Sequence, residues 1–242
     1  MLRSFVTVYL SGDGVVHGDK ILQFFLDTAD IKLIDHFKSL KLISGVTTNP
    51  AIMAKEIGSL RKRVIEICNM INGPVSVEVI ATDANGMFEQ ALKLSAIHEN
   101  IVVKLPANRA GFEALGRLED HNVPVNMTVV YTSMQALLCA KLGARYVSPF
   151  VGRLDVNSTD GVGLLSEIRR IFDNYNFNTK ILAASMRNAI YVKSAALAGA
   201  DVATIPPDIL LQLMDSELGD VSLTGFLNEW SNIPRPVDLF ED

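Results

Sequence analysis

From residue 21 onward, short β-branched apolar runs alternate with longer stretches whose apolar residues recur at helical spacing. The pattern predicts strands over Ile21–Thr28, Ile43–Asn49, Val75–Ile80, Ile101–Pro106, Val123–Val130, Tyr146–Val151, Lys180–Ser185 and Val202–Pro206. Between and after them it predicts helices over Asp30–Leu40, Ser59–Asn72, Asp83–His98, Arg109–Asp120, Thr132–Leu142, Ser158–Asn174, Asn188–Ala198 and Pro207–Met214. Strands that alternate with helices imply βαβ units and a parallel sheet. Eight such units without a Gly-rich turn after the first strand favour an α/β fold closed into a single (β/α)8 TIM barrel. An open, doubly wound sheet is the competing arrangement. A further apolar stretch, Val221–Ser231, predicts an extra C-terminal helix that holds the sole Trp230, followed by a Pro-rich tail. The organisation is then an extension over residues 1–20, a barrel over 21–220, and a C-terminal helix and tail over 221–242. The extension carries one short apolar run, with neither a signal-type cleavage site nor a basic transit pattern.

Buried parallel strands should read as nearly continuous apolar runs. Several here are interrupted near their C-terminal ends, by Asp27, Glu78, Lys104, Thr128 and Ser185. In the fourth strand, Ile101, Val103 and Leu105 share one parity, and Val102, Lys104 and Pro106 the other. If the first set faces the helices, Lys104 points into the barrel, at the end where enzymes of this fold carry their sites. Desolvation there disfavours an ammonium ion, and a neutral amine is the form that attacks a sugar ketone. The resulting iminium is an electron sink that lets a neighbouring C–C bond break. Asp27 and Glu78 can carry the protons such chemistry moves; the plain alternative is that they balance the charge of Lys104. Arg153 and Arg187 follow predicted strand ends on the same face. With the Ser185 hydroxyl and the helix N-terminus behind it, they suit a phosphate.

Composition changes this picture little. The chain has 242 residues, a formal charge of −5 and only two cysteines, each within an apolar helical pattern. No basic run points to nucleic acid, and no apolar run reaches the ~18 residues of a membrane span. A cytoplasmic location is the expectation. His17, His36, His98 and His121 lie in the extension or near helix ends and read as solvated surface.

Four segments together resemble a known family: Phe25-Leu26-Asp27-Thr28-Ala29-Asp30, Gly45-Val46-Thr47-Thr48-Asn49-Pro50, Ile101-Val102-Val103-Lys104-Leu105-Pro106 and Leu182-Ala183-Ala184-Ser185-Met186-Arg187. The family is that of the small single-barrel transaldolases, which also includes fructose-6-phosphate aldolase, and the likeness runs from residue 21 to about 232. The resemblance implies that Lys104 forms a Schiff base with a dihydroxyacetone unit and that Asp27 is the acid–base for C–C cleavage. Glu78 and Thr128 would manage the water of carbinolamine formation. Thr48 and Asn49 would orient hydroxyls, and Arg153, Ser185 and Arg187 would bind phosphate. Where the family's aldolases place Gln and Tyr, this chain has Glu78 and Phe150. Phe150 offers no phenolic proton to discharge an enamine, which implies a transferase. The implied reaction moves dihydroxyacetone from sedoheptulose 7-phosphate to glyceraldehyde 3-phosphate within the pentose phosphate route, with no metal or organic cofactor. The resemblance also implies a homo-oligomer, as large as a decamer. The competing functions are the aldolase itself, a sugar-phosphate-binding barrel without catalysis, and a phosphate-binding epimerase or isomerase.

Overall fold

The computed structural model describes residues 21–156 and 160–233; the expected extension, the start of the helix expected from Ser158, and the Pro-rich tail lie outside them. Eight parallel strands close into a barrel in the order β1-β2-β3-β4-β5-β6-β7-β8, with β1 paired to both β2 and β8. They are β1 (Gln23–Asp27), β2 (Gly45–Thr47), β3 (Val75–Glu78), β4 (Ile101–Pro106), β5 (Val125–Val130), β6 (Tyr146–Pro149), β7 (Lys180–Ala183) and β8 (Val202–Ile205). The open-sheet alternative is excluded by that closure.

The helices begin where the sequence supplies a side chain to receive their free N–H groups. Asp30 caps α1 (Ile31–Ser39), Ser59 caps α3 (Leu60–Met70) and Asp83 caps α4 (Ala84–Ser95). Asn108 caps α5 (Arg109–Leu118), and Thr132 and Gln135 form a reciprocal capping box on α6 (Ser133–Lys141). Asp160, Asn188 and Ser216 cap α8 (Gly161–Asn174), α9 (Ala189–Leu197) and α11 (Glu217–Ser231); α10 (Pro207–Gln212) starts on a proline. Two short helices replace expected loop or strand. Asn49 caps α2 (Pro50–Met53), and α7 (Val151–Val156) starts at the residue where the sixth strand was expected to end. The C-terminal helix starts at Glu217 rather than Val221, because Ser216 caps it.

The barrel has two interiors. Outward-facing strand residues such as Val46, Val75, Ile101, Val103, Leu105 and Met127 pack against the helices in the main core. Cys68 and Cys139 belong to that layer, where burial pushes their thiols up to about 11 and about 12. Inside the barrel, Phe25, Val102, Tyr146, Leu182, Ala184 and Val202 form a separate apolar plug, with the rings of Phe25 and Tyr146 edge to face at 6.0 Å. Gly45 makes room for that plug, since a Cβ there would lie 2.7 Å from the Phe25 ring. Above the plug, toward the C-terminal ends of the strands, the inward positions turn polar. Val102 in the plug and Lys104 above it share one parity of β4, as the alternation in the sequence requires.

Candidate active site

Lys104 stands at the centre of the polar layer with only 7% of its surface exposed. Its register neighbour on β3 is Glu78, and Lys104 Nζ lies 3.1 Å from Glu78 Oε2. The same ammonium donates to the Thr48 carbonyl at 3.1 Å, just past the end of β2. The amine is therefore enclosed by strands on either side, with an apolar floor beneath it.

Asp27, the last residue of β1, accepts a hydrogen bond from Thr47 Oγ1 at 2.7 Å. Burial holds its carboxyl above the usual carboxylate range; the Thr47 bond and the positive charge of Lys104 pull the other way. Lys104 and Asp27 both line a cavity of about 160 Å³ at the strand C-terminal ends, together with Asn49, Thr128 and Phe150. Glu78 meets Lys104 from outside that lining and faces a second, apolar groove.

Thr128 reaches the cavity by the ordinary alternation of β5, two residues after Asn126, and an irregularity follows it. The register against β6 shifts between Met127 and Val130, and Val129 takes a φ of +60°, an outlying conformation for a β-branched residue. Thr128 faces inward while Val130 joins the outer core. The Thr128 hydroxyl is buried with no hydrogen-bond partner in the protein. A buried hydroxyl on a cavity wall is a place where water or a ligand completes the bonding.

The end of the cavity that carries Arg153 is built from α7 and the loop after β7. Arg153 lines the cavity, with its guanidinium carbon 5.4 Å from the centre of the Phe150 ring. Ser185 also lines it, at a φ of +63°. Gly152 lets the two segments touch: a Cβ there would sit 2.2 Å from the Ser185 carbonyl oxygen and 3.1 Å from Arg187 Cγ. Arg187 is exposed, its stem held against Gly152 and outside the cavity lining.

The structure thus brings Lys104, Asp27, Asn49, Thr128, Phe150, Arg153 and Ser185 to one cavity, with Glu78 on the amine. Thr48 is placed otherwise than expected. Its hydroxyl donates to the Ser76 carbonyl at 2.8 Å, so its contribution at the site is the backbone carbonyl that receives Lys104. Asn49 spends its side-chain carbonyl on capping α2 through Ile52 N at 2.9 Å.

Four polar lining residues escaped the sequence reading: Thr47, Asn126, Ser148 and Thr204. Ser148 donates to Asn126 Oδ1 at 2.6 Å, and Asn126 Nδ2 donates to Ser76 Oγ at 3.2 Å, a chain across β6, β5 and β3. The available signal was parity: Asn126 stands two residues before Thr128, and Ser148 two before Phe150.

A parallel (β/α)8 barrel with a buried lysine, two neighbouring carboxylates and an arginine-edged cavity carries the groups that carbonyl chemistry on an anionic substrate would need. Residues 24–233 match the family described as Transaldolase/Fructose-6-phosphate aldolase. A protein named "Probable transaldolase" from Geobacter metallireducens is 46% identical over 214 residues, covering 88% of this chain and all of that protein. One of the same name from Methanococcus vannielii is 46% identical over 209 residues, covering 86% of this chain and 97% of the relative. The chain belongs to the transaldolase/fructose-6-phosphate aldolase family. Its fold is also similar to the carboxyl transferase domain of Rhizobium etli pyruvate carboxylase, with a TM-score of 0.59 at 11% identity over 78% of this chain and 40% of that one. At that identity the likeness concerns the fold alone.

Proposed function

We propose that this protein is a transaldolase, a transferase that moves a dihydroxyacetone unit from sedoheptulose 7-phosphate to glyceraldehyde 3-phosphate through a Schiff base on Lys104. The observation that carries the reading is the Lys104 amine, 7% exposed and 3.1 Å from Glu78 at the mouth of the barrel. Glu78 accepts a proton from Lys104, and the freed amine attacks the ketone carbon of the donor. The oxygen of the carbinolamine then leaves as water, protonated from Glu78 and held at the Thr128 hydroxyl. Asp27 takes the proton of the hydroxyl on the carbon beyond the scissile bond. That C–C bond breaks, its electron pair flows into the iminium, and an aldehyde departs from an enamine. The enamine carbon then bonds to the acceptor aldehyde, Asp27 returns its proton, and water releases the ketose. Arg153, Ser185 and Arg187 hold the phosphate.

The test is borohydride reduction in the presence of fructose 6-phosphate, followed by peptide mapping. An adduct on Lys104 supports the reading; an adduct elsewhere, or none, overturns it. The aldolase alternative is disfavoured by Phe150, which lines the cavity without a proton to give the enamine. Fructose 6-phosphate alone distinguishes the two: dihydroxyacetone accumulating over many turnovers would make the protein a lyase, and a requirement for an aldehyde acceptor makes it a transferase.

We further propose a homo-oligomer in the cytoplasm, built on the C-terminal helix. Every residue of α11 is exposed, among them Leu218 at 82%, Val221 at 70% and Phe226 at 68%. The helix carries Glu217, Asp220 and Glu229 and no basic residue. An apolar groove of about 760 Å³ edged by Arg61 and Lys93 offers the complementary surface on a second copy. No helix among the described residues is long and apolar enough to cross a membrane. Sedimentation of the intact chain against a Phe226→Glu variant tests the assembly, which predicts dissociation of the variant.

A further inference from the structure

The interior of the barrel holds a pair of hydroxyls that the mechanism above does not use. Thr47 is the last residue of β2, and Thr204 lies in β8; β1 runs between those strands and pairs with both. Thr47 Oγ1 lies 2.7 Å from Asp27 Oδ1 and 2.6 Å from Thr204 Oγ1. The hydroxyl contact therefore crosses the inner face of β1 and joins strands that do not pair with one another. Thr47 and Thr204 are 2% and 4% exposed, so water does not compete freely for either group.

A hydroxyl has one proton to give. When Asp27 is a carboxylate it can only accept, so the Thr47 proton points at Asp27. The short contact to Thr204 is then a hydrogen bond only if Thr204 donates to Thr47. The chain of donation runs one way, from Thr204 through Thr47 to Asp27, and each bond polarises the next. Protonation of Asp27 removes the demand for that direction. We infer that Thr204, acting through Thr47, is a positioning residue that holds the Asp27 carboxylate in its proton-accepting state and orientation. The inference rests on the proposed reaction, in which Asp27 must be ionised to receive the hydroxyl proton at C–C cleavage.

The charged groups that face Asp27 set the background for this effect. They are Lys104 from β4, with Glu78 of β3 bound to it, and Arg153 of α7 at the cavity edge. Burial raises the Asp27 carboxyl while the Thr47 bond and Lys104 lower it. Loss of Thr204 weakens the Thr47 bond and leaves the Lys104 contribution in place. The sign follows: without Thr204 the carboxylate is less favoured, Asp27 holds its proton to higher pH, and the acid limb of the rate profile moves up.

The experiment is the pH dependence of kcat and KM for Thr204→Val, Thr204→Ser and the wild-type protein, with borohydride trapping on each. A hydrogen bond of ordinary net strength translates into a shift of the acid limb by roughly half a pH unit to one unit. Thr204→Val should show that upward shift, with kcat falling more than KM changes, and Thr204→Ser should restore the wild-type limb. Thr204→Ala replaces the valine variant should the latter fail to fold. An acid limb that is the same in the valine or alanine variant as in the wild type overturns the inference, as does a serine variant that behaves like valine. Trapping separates the two layers of the argument. A Lys104 adduct with an unmoved limb sinks only the role of Thr204, whereas no adduct in the wild type sinks the reaction itself.

Discussion

Replacing Gly152 with alanine should cost the protein its preference for phosphorylated substrate while sparing the chemistry. The added Cβ would lie 2.2 Å from the Ser185 carbonyl oxygen, a separation that real Cβ atoms do not reach, and 3.1 Å and 3.2 Å from Cγ and Cδ of Arg187. The arginine stem can swing aside; the carbonyl is backbone and cannot. Ser185 already sits at a φ of +63°, so the loop after β7 has little slack, and the contact must open by about 1 Å between α7 and that loop. Arg153 rides on α7, and Ser185 and Arg187 on the loop, so the groups that would grip the phosphate separate. A misplacement of ~1 Å can cost up to about 100-fold. In the proposed reaction the phosphate lies away from the bond that breaks, so the loss should appear as a 10- to 100-fold fall in kcat/KM, mainly through KM. The assay compares fructose 6-phosphate with unphosphorylated fructose as donor. The phosphorylated donor should lose its advantage, and the unphosphorylated one should be turned over as by the wild type. Equal losses on both donors would mean a general distortion of the barrel and would refute the argument; so would an unchanged ratio. Overpacking of this kind also destabilises by about 1–3 kcal/mol, so melting must be checked alongside.

Other substitutions probe the remaining groups. Lys104→Met, which keeps the apolar stem and removes the amine, should abolish borohydride trapping and turnover, while its stability relative to the wild type reports how well the site tolerates an unpaired Glu78. Thr128→Val removes a buried hydroxyl that has no partner, so the variant should melt at or above the wild-type temperature while its rate falls about 100-fold; a matched loss of both would make Thr128 merely structural. Asp27→Asn has a pH signature in stability. The carboxyl is raised in the fold, so its protonated form is the better accommodated one, and this contribution is full below its unfolded value of 3.8 and lost as pH rises through the raised folded value. The amide variant should therefore melt above the wild type near neutral pH, with the difference shrinking as the solution is made acidic; a constant difference would contradict the raised carboxyl. Val129→Gly relieves a β-branched residue from φ +60° and should raise stability without loss of the irregularity in β5, as judged by retained activity.

The barrel was legible because its strands and helices differ in period and because most helices begin at a capping side chain visible in the sequence, as at Asp30, Asp83 and Asn108. The inward direction of Lys104 followed from parity in β4 alone. Parity fails where the strand is irregular: in β5 the shift between Met127 and Val130 cannot be read from a Val-Val pair, and no residue there advertises a positive φ as glycine would. The short helices α2 and α7 were missed because Pro50–Met53 and Val151–Val156 are too brief to show a period, and α7 follows β6 with a single residue between. Thr47, Asn126, Ser148 and Thr204 were passed over because threonine, asparagine and serine inside a strand look like tolerated polarity until neighbouring strands are set beside one another. Their partners lie between 20 and 157 residues away along the chain, for instance Thr47 with Asp27 and Thr47 with Thr204.

A polar layer inside a barrel should be expensive, because each buried group gives up water. Here the layer closes on itself across strands: Lys104 on Glu78 and the Thr48 carbonyl, Asp27 on Thr47 and Thr204, and Ser148 on Asn126 and Ser76. Among the described residues, the buried side-chain atoms left without a partner are Thr128 Oγ1 and Arg169 Nε. Arg169 is engaged through its other nitrogens by Asp173 and Asp201, and so loses little. Thr128 has no such second attachment, and its hydroxyl faces the cavity beside Lys104. A fold optimised for stability alone would place valine there, since the strand geometry already suits a β-branched side chain. Among the described residues, the buried hydroxyl of the cavity wall that lacks a partner thus stands where a water could be held, as the proposed carbinolamine step would require.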